Sequence, residues 1–374
     1  MLARPRGLTL ITTRQCTASC DHCCFACSPR LTERIPRERL SQLITEAAQI
    51  PSIRNVYFSG GECFLLGNEL FECIAHAASV RLAPRAITNG YWAKSITIAT
   101  QRVEALKMAG LAVLAFSTGP MHLRYVPLKN VLTGARASAL AGLKTAIYLE
   151  IFEGSHPQLN ELAAEPQIVD LVSSGAISLY ESPWIPNARG NGTATLQHPE
   201  RFMRFLNHER EGCGSIMDTL TVTPSLDLLA CCGFPMESID DLRLGSVADR
   251  TIRDVLNDAV DDPLLAWIRV DGPEMIYEQA RSLDPSVQPP MDSAHICMTC
   301  VALFKDRKAM RHVNRMCRTV EQRIWESYAS VLLTQHALDA GLSEEATKAW
   351  LLRLSAPDTN ADAAKTGEAA RSAG

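Results

Sequence analysis

The chain has 374 residues, of which 47% are hydrophobic and 21% charged, as in globular proteins with a large core. Its formal net charge of −4 argues against a nucleic-acid-binding or membrane-surface protein. No apolar stretch approaches the ~18 residues that a membrane-spanning helix needs, and the first residues lack a signal-peptide core. We therefore expect a cytoplasmic protein of two or three domains.

Strand-like and helix-like segments alternate through the first half of the chain, which predicts an α/β fold. Six β/α units in series indicate a parallel sheet, and right-handed crossovers can curl that sheet into a partial (β/α)6 TIM-like barrel. A doubly wound α/β fold is the alternative. The strand-like segments are residues 7–12, 55–61, 84–90, 111–118, 145–153 and 176–182.

The pattern changes after Gly190. Residues 218–232 predict two strands around a Pro224-Ser225 turn, and residues 242–258 predict a turn leading into a helix. We expect a small α+β domain here, followed by C-terminal helices. The predicted divisions are a barrel over 1–205, the small domain over 206–317, helices over 318–355 and a disordered tail over 356–374.

Thirteen cysteines fall into two groups, one between Cys16 and Cys73 and the other between Cys213 and Cys317. Disulfides are disfavoured in the cytosol, so clustered cysteines there indicate metal binding or catalysis. The long stretch between the groups contains no cysteine, which packing alone would not be expected to produce.

The first group opens with the spacing C-x3-C-x2-C at Cys16, Cys20 and Cys23. Three thiolates on one loop can hold three irons of a 4Fe–4S cluster and leave the fourth iron open to another ligand. A structural zinc site, completed by Cys24 or Cys27, is the alternative.

Polar and glycine residues follow the next strand-like segments. Gly60-Gly61-Glu62 ends the second, Asn89 the third and Ser117 the fourth. In a β/α barrel these carboxyl ends form the active-site face. Paired glycines allow close backbone approach to a ligand, and the adjacent carboxylate can hold an amine.

With these residues, the stretch from about Gly7 to Gly190 resembles the radical S-adenosylmethionine (SAM) enzymes. The resemblance implies a 4Fe–4S cluster on Cys16, Cys20 and Cys23, whose open iron chelates SAM. One-electron reduction then splits SAM into methionine and a 5′-deoxyadenosyl radical, which abstracts a hydrogen atom from the substrate. It also implies a flavodoxin- or ferredoxin-type reductant.

The resemblance further implies individual roles. Glu62 would hold the SAM amine, and Ser117 would help to anchor its carboxylate or ribose. His22 stands where the family commonly has an aromatic residue, as a ring substitute or a hydrogen-bond partner of the cofactor. The remaining residues that the resemblance places at the cofactor are Gly60, Gly61 and Asn89.

For several other residues the sequence leaves two roles open. Arg189 is a candidate ligand of a substrate or cofactor carboxylate, with a solvent-exposed arginine as the alternative. His122, just past the fourth strand, is a candidate substrate contact, with packing against Tyr125 as the alternative. We expect packing roles for Cys24, Cys27, Cys63 and Cys73, with a position facing the site as the alternative for Cys27, whose flank is loop-like.

The second cysteine group is similar to the SPASM and twitch extensions of these enzymes, which implies one auxiliary 4Fe–4S cluster. Its predicted ligands are Cys213, Cys231 or Cys232, Cys297 and Cys300, with Cys231 preferred and Cys317 as a substitute. The spare Cys232 is a candidate hydrogen-atom donor, with packing as the alternative. A zinc ribbon is the alternative for the whole group.

Enzymes with such extensions mostly modify peptides, so we expect a peptide maturase that performs crosslinking, epimerisation or oxidation. A SAM-dependent dehydrogenase of a small-molecule alcohol is the alternative, and a non-catalytic iron–sulfur or zinc protein is a third. The chain starts a few residues before its first strand, so we expect no N-terminal leader-binding domain. Peptide recognition would then come from the barrel or from a separate leader-binding protein.

Overall fold

The computed structural model describes residues 4–151, 155–183, 212–233, 236–290 and 295–355, with side chains up to residue 349. The chain divides into two compact units, Met1–Val320 and Glu321–Gly374. The first contains all the described strands. No helix in the described ranges is both long and apolar enough to cross a membrane.

The described strands form one nine-stranded sheet in the order β6-β5-β4-β3-β2-β1-β7-β8-β9. Strands β1 to β6 pair in parallel, each with the next along the chain. The sheet stays open, so the predicted partial barrel is confirmed. The strands are β1 (Gly7–Ile11), β2 (Asn55–Ser59), β3 (Ala83–Thr88), β4 (Val113–Thr118), β5 (Lys144–Ile151), β6 (Ile177–Pro183), β7 (Thr219–Val222), β8 (Asp227–Leu229) and β9 (Arg243–Ser246).

Helices follow the first five strands and dominate the later part of the chain. They are α1 (Arg37–Ala48), α2 (Asn68–Ser79), α3 (Ile96–Met108), α4 (Leu128–Leu140), α5 (Leu159–Ala163), α6 (Val169–Ser173), α7 (Ile252–Ala259), α8 (Pro263–Leu283), α9 (Ile296–Lys305), α10 (Arg307–Asp339) and α11 (Glu344–Ser355).

Burial in β2 and β3 follows a two-residue period. In β2, Val56 and Phe58 are fully buried, whereas the alternate positions of the strand are partly exposed. In β5, Tyr148 is 41% exposed although its neighbours Ile147 and Leu149 are fully buried. Successive side chains of a strand point to opposite faces. One face therefore packs into the core, while the other lines an accessible barrel interior.

The hairpin after the barrel joins the same sheet. Strand β7 pairs in parallel with β1, in the register Gly7↔Thr219, and β8 returns antiparallel to β7. The predicted strand pair is thus present. The segment predicted as a turn before α7 is instead partly strand, because β9 pairs with β8 through main-chain hydrogen bonds that its local sequence does not signal.

The predicted helices after β9 are present with shifted bounds. Helix α7 begins at a capping box between Thr251 and Asp254. Helix α10 starts at Arg307, eleven residues before the predicted start at residue 318. The predicted 205/206 domain boundary and the predicted tail lie outside the described residues.

Candidate active site

The three cysteines of the C-x3-C-x2-C loop line one cavity of about 460 Å³. Burial raises the pKa of Cys16 to about 11 and raises that of Cys20 further. The pKa of Cys23 is instead lowered to about 6, chiefly by its hydrogen bond with Cys27. Two of the three thiols therefore resist ionisation until a cation binds them, since metal coordination deprotonates a thiol. This donor set suits an iron–sulfur cluster.

The glycines after β2 bring the chain close to the loop. The amide of Gly61 donates to the carbonyl of Thr13 at 2.7 Å, and that of Glu62 donates to Gln15 at 2.9 Å. A Cβ on Gly61 would stand 2.6 Å from the carbonyl carbon of Gln15, and one on Gly60 would stand 2.5 Å from the oxygen of Thr13. Both glycines are therefore needed for this approach, besides lining the cavity.

Glu62 is 1% exposed, and its carboxylate is occupied within the chain. One oxygen accepts from the hydroxyl of Thr88 at 2.9 Å and the amide of Phe64 at 3.1 Å, and the other accepts from the amide of Asn89 at 2.8 Å. Burial raises its pKa to about 7. In this structure Glu62 braces the ends of β2 and β3, and its assignment to the SAM amine stays a prediction.

Asn89 and Ser117 both lie on the cavity wall. The amide nitrogen Nδ2 of Asn89 donates to the hydroxyl of Thr17 at 3.0 Å and approaches the sulfur of Cys16 at 3.7 Å. Asn89 therefore ties the end of β3 to the cysteine loop. Ser117 reaches the same wall from β4, as the sequence predicts for a carboxyl end.

His22 does not stand alone in the cavity. Its Nδ1 lies 3.1 Å from Oε1 of Glu150 on β5, and Nδ1 of His122 lies 3.3 Å from Oε2 of the same residue. The two rings meet edge to face, with centroids 4.9 Å apart. Burial and the neighbouring His122 lower the pKa of His22 to about 3. Thus His122 contacts Glu150 and His22, whereas the hydroxyl of Tyr125 donates to the carbonyl of Ser19.

Sequence reasoning missed Glu150. The sequence contained a signal for it, because Glu150 is a carboxylate near the carboxyl end of an otherwise apolar strand.

Sequence reasoning also missed an ion pair that joins the cysteine loop to a later segment. Arg14 binds both oxygens of Glu237, at 2.6 and 3.1 Å, and donates to the carbonyl of Phe25. No local pattern relates residues this far apart in sequence.

Four cysteines of the second group lie near one another. The pKa of Cys300 is raised well above its usual value, first by burial and then by the nearby thiols of Cys231, Cys297 and Cys213. Helix α9 carries two of them, and the His295 ring caps it by accepting from the amide of Cys297 at 3.2 Å. These are the four predicted auxiliary ligands, with Cys231 as the member of the adjacent pair.

The two neighbouring cysteines 231 and 232 have different surroundings. Cys231 is 7% exposed, whereas Cys232 is exposed and lines the cavity. Thr219, which the register pairs with Gly7 at the amino end of β1, lines the same cavity. The cavity is thus lined by the cysteine loop, by barrel strands and by Cys232.

The remaining candidates are spread more widely. Cys63 and Cys73 are buried, and the thiol of Cys63 donates to the carbonyl of Ile87, as expected for packing. Cys24 and Cys27 line the cavity. Cys317 lies on α10. Arg189 lies outside the described residues.

No family model matches the chain. The putative peptide biosynthesis protein YydG of Bacillus subtilis (strain 168) is 32% identical over 125 residues. That match covers 33% of this chain and 39% of the relative, so the chain spans about two fifths of the curated relative it matches.

Solved structures share the fold at low sequence identity. SuiB of Streptococcus suis, bound to SAM, aligns with a TM-score of 0.54 at 15% identity, over 71% of this chain and 68% of that one. The enzyme anSMEcpe, bound to SAM and a peptide, aligns with a TM-score of 0.52 at 13% identity, over 85% and 99%. The chain therefore shares the open-barrel fold of these structures, and it carries its C-x3-C-x2-C loop after β1, at the carboxyl end of the barrel strands.

Proposed function

We propose that the chain is a radical SAM enzyme that modifies a peptide. The observation that carries the proposal is one cavity lined both by the three loop thiols and by the accessible thiol of Cys232. The curated relative is named for peptide biosynthesis, and structures of SuiB and anSMEcpe contain peptides. A peptide substrate is therefore the class that these relatives support.

Cys16, Cys20 and Cys23 would hold the catalytic cluster. Bound there with SAM, the cluster supplies a 5′-deoxyadenosyl radical that takes a hydrogen atom from an unactivated carbon. Gly60 and Gly61 let the chain close on the loop, and Asn89 holds its first turn through Thr17.

A second cluster would be held by Cys213, Cys231, Cys297 and Cys300. The support is their mutual proximity, since the thiols of Cys231, Cys297 and Cys213 all act on the pKa of Cys300. Because Cys231 and Cys232 are adjacent in the chain, this cluster would stand next to the exposed thiol. That position suits an electron carrier for the sulfur of Cys232.

Among the predicted reactions, the placement of Cys232 favours epimerisation. After hydrogen abstraction on the side of the cysteine loop, the substrate carbon lacks one hydrogen atom. Cys232 then donates its thiol hydrogen atom from the opposite side, which inverts the carbon and leaves a sulfur-centred radical. One electron from a flavodoxin- or ferredoxin-type reductant and one proton restore the thiol.

Deuterium incorporation tests this assignment. The thiol hydrogen exchanges with solvent, so the reconstituted enzyme in D2O should place one deuterium at each inverted residue of its peptide. If a short reading frame lies beside this chain's gene, its product is the peptide to use. Mass spectrometry and chiral amino-acid analysis would report the deuterium and the inversion.

The matched variants are Cys232→Ala and Cys73→Ala, the latter buried on α2 outside the cavity. We expect Cys232→Ala to form 5′-deoxyadenosine but no deuterated D-residue, and Cys73→Ala to behave as wild type. Inversion that persists in Cys232→Ala would refute the donor role. Absence of 5′-deoxyadenosine from the wild-type enzyme would refute the radical SAM activity itself.

A further inference from the structure

We propose that His22, His122 and Glu150 bind a divalent first-row transition-metal ion inside the cavity, separate from the cysteine-bound iron. One ring nitrogen from each histidine and a carboxylate oxygen of Glu150 all lie within 4.8 Å of one another. In the described part of the chain, these three are the sole group of His, Cys, Asp and Glu side chains with such spacing. Two imidazoles and one carboxylate are a common ligand set for such metals.

Three different elements bring these side chains together. His22 comes from the cysteine loop, His122 from the turn after β4, and Glu150 from β5. Gly119 makes the meeting of the last two possible, since its φ is +141° and a Cβ there would stand 2.6 Å from Cβ of Glu150. The cysteine loop and the β4 turn are also joined by the ion pair between Asp21 and Arg124 at 2.8 Å.

Two buried atoms of the group have no hydrogen-bond partner. Nδ1 of His22 and Oε1 of Glu150 are 3.1 Å apart, yet their geometry does not make a hydrogen bond. The side chain of Glu150 is only 6% exposed, so water does not solvate this oxygen freely. A buried unpaired carboxylate oxygen is costly unless something binds it.

The separations identify the kind of ligand. Atoms about 2.1 Å from a metal stand about 3.0 Å apart at octahedral angles and about 3.4 Å at tetrahedral angles. The Nδ1 of His22 lies 3.1 Å from Oε1 of Glu150, which is in this range, and Nδ1 of His122 shares a hydrogen bond of 3.3 Å with Oε2 of the same carboxylate. With one ligand atom from each residue, the three atoms all lie within 4.8 Å of one another, which is close enough for one metal ion to contact all three.

Three protein ligands leave coordination positions open, as in catalytic metal sites. The open positions face the cavity that all three residues line. A carbonyl oxygen of a bound peptide is a ligand of the right chemistry for such a position. The metal would therefore position the peptide against the cysteine loop, without any redox step of its own.

Manganese is the probe for this site, because Mn²⁺ prefers nitrogen and oxygen ligands to thiolates. The full chain would be reconstituted anaerobically, with its clusters oxidised, and treated briefly with a chelator to remove iron outside the clusters. Titration with Mn²⁺ alone, followed by the EPR signal of the free ion, gives the stoichiometry and the dissociation constant. This measurement needs neither turnover nor a peptide.

We expect one Mn²⁺ per wild-type chain. Glu150→Gln and His122→Asn should each weaken binding on the order of tenfold or more, since even outer-shell partners of metal ligands contribute 10- to 100-fold. Iron content and cluster absorbance should stay at the wild-type value in both variants, which shows that they fold. Glu161→Gln is the matched control, because Glu161 lies 3.0 Å from His156 in an exposed pair; it should bind Mn²⁺ as wild type does.

Three outcomes would overturn the proposal. Mn²⁺ would remain free in the presence of wild-type enzyme, it would bind Glu150→Gln as tightly as wild type, or stoichiometric SAM would displace it. The last result would assign the three side chains to SAM. None of these outcomes affects 5′-deoxyadenosine formation, so the proposed function is tested separately.

Discussion

Replacing Gly61 with alanine is expected to dislodge the cysteine loop. The added Cβ would stand 2.6 Å from the carbonyl carbon of Gln15 and 3.0 Å from the carbonyl oxygen of Arg14. Carbon atoms pack at about 3.5–4.0 Å, so the backbone next to Cys16 must move by about 1 Å. Because both obstructing groups are backbone, no side-chain rotation relieves the contact.

The expected loss of stability combines two effects. Overpacking of this kind costs about 1–3 kcal/mol. The displacement also weakens the hydrogen bonds from Gly61 to Thr13 and from Glu62 to Gln15, at about 0.5–1.5 kcal/mol each. Together these give about 2–6 kcal/mol, or a fall in Tm of about 4–12 °C at about 2 °C per kcal/mol.

Thermal unfolding and iron content of the anaerobically reconstituted protein measure the effect. Gly214→Ala is the control, because Gly214 is in the other cysteine group and has no atom within 4 Å of an added Cβ. We expect Gly61→Ala to lose iron from the catalytic site and Gly214→Ala to keep it. If the two variants matched in Tm and iron content, the close approach of the glycines to the loop would not position the cluster.

Cys300→Ser should lower the iron content from roughly eight to roughly four per chain, as metal analysis would show, whereas an unchanged value would exclude Cys300 as a ligand. Cys63→Ala should keep all the iron, because Cys63 packs in the core, and a loss of iron would make it a ligand instead. Burial raises the pKa of Glu62 to about 7, so the folded state favours the protonated carboxyl group. Below its unfolded pKa, Glu62 makes its full contribution to stability, and that contribution is lost as pH rises through 7. Denaturant titrations should therefore show that the free energy of unfolding falls as pH rises to 7, and Glu62→Gln should abolish this fall. Arg14→Met should lower the free energy of unfolding by about 3–5 kcal/mol because it removes the Arg14 partner of the buried Glu237 carboxylate; Arg14→Met with Glu237→Met should recover most of the loss, and a double variant no more stable than the single one would contradict this explanation.

Local sequence patterns were enough to predict the alternating strands and helices. Backbone periodicity, which the sequence displays directly, produces the burial of every second residue in β2 and β3 and the helical stripe of Leu40, Leu43 and Ile44 in α1. The sequence did not predict strand β9, because β9 forms by hydrogen bonding to β8, a different segment of the chain. A short segment such as Arg243–Ser246 becomes a strand through that pairing.

The candidate site likewise combines features that the sequence displays with contacts that only the folded chain makes. The spacing of Cys16, Cys20 and Cys23 is a covalent property of the chain, so the sequence alone determined that three thiols share one loop. Glu150 and His122 meet His22 only after β4 and β5 are adjacent, and that adjacency is a tertiary fact. Glu62, chosen for its charge, is occupied by hydrogen bonds that only the folded chain supplies.

What the sequence by itself determined about this protein is therefore its repeating β/α order and the thiols that can bind iron. The tertiary structure decided which cysteine of the 231–232 pair faces the cavity, since adjacent residues of an extended chain point in opposite directions. It also decided how Arg14 reaches Glu237 across more than 200 residues. The physical reason is that periodicity and spacing are local, whereas burial and charge pairing depend on which distant segments the fold packs together.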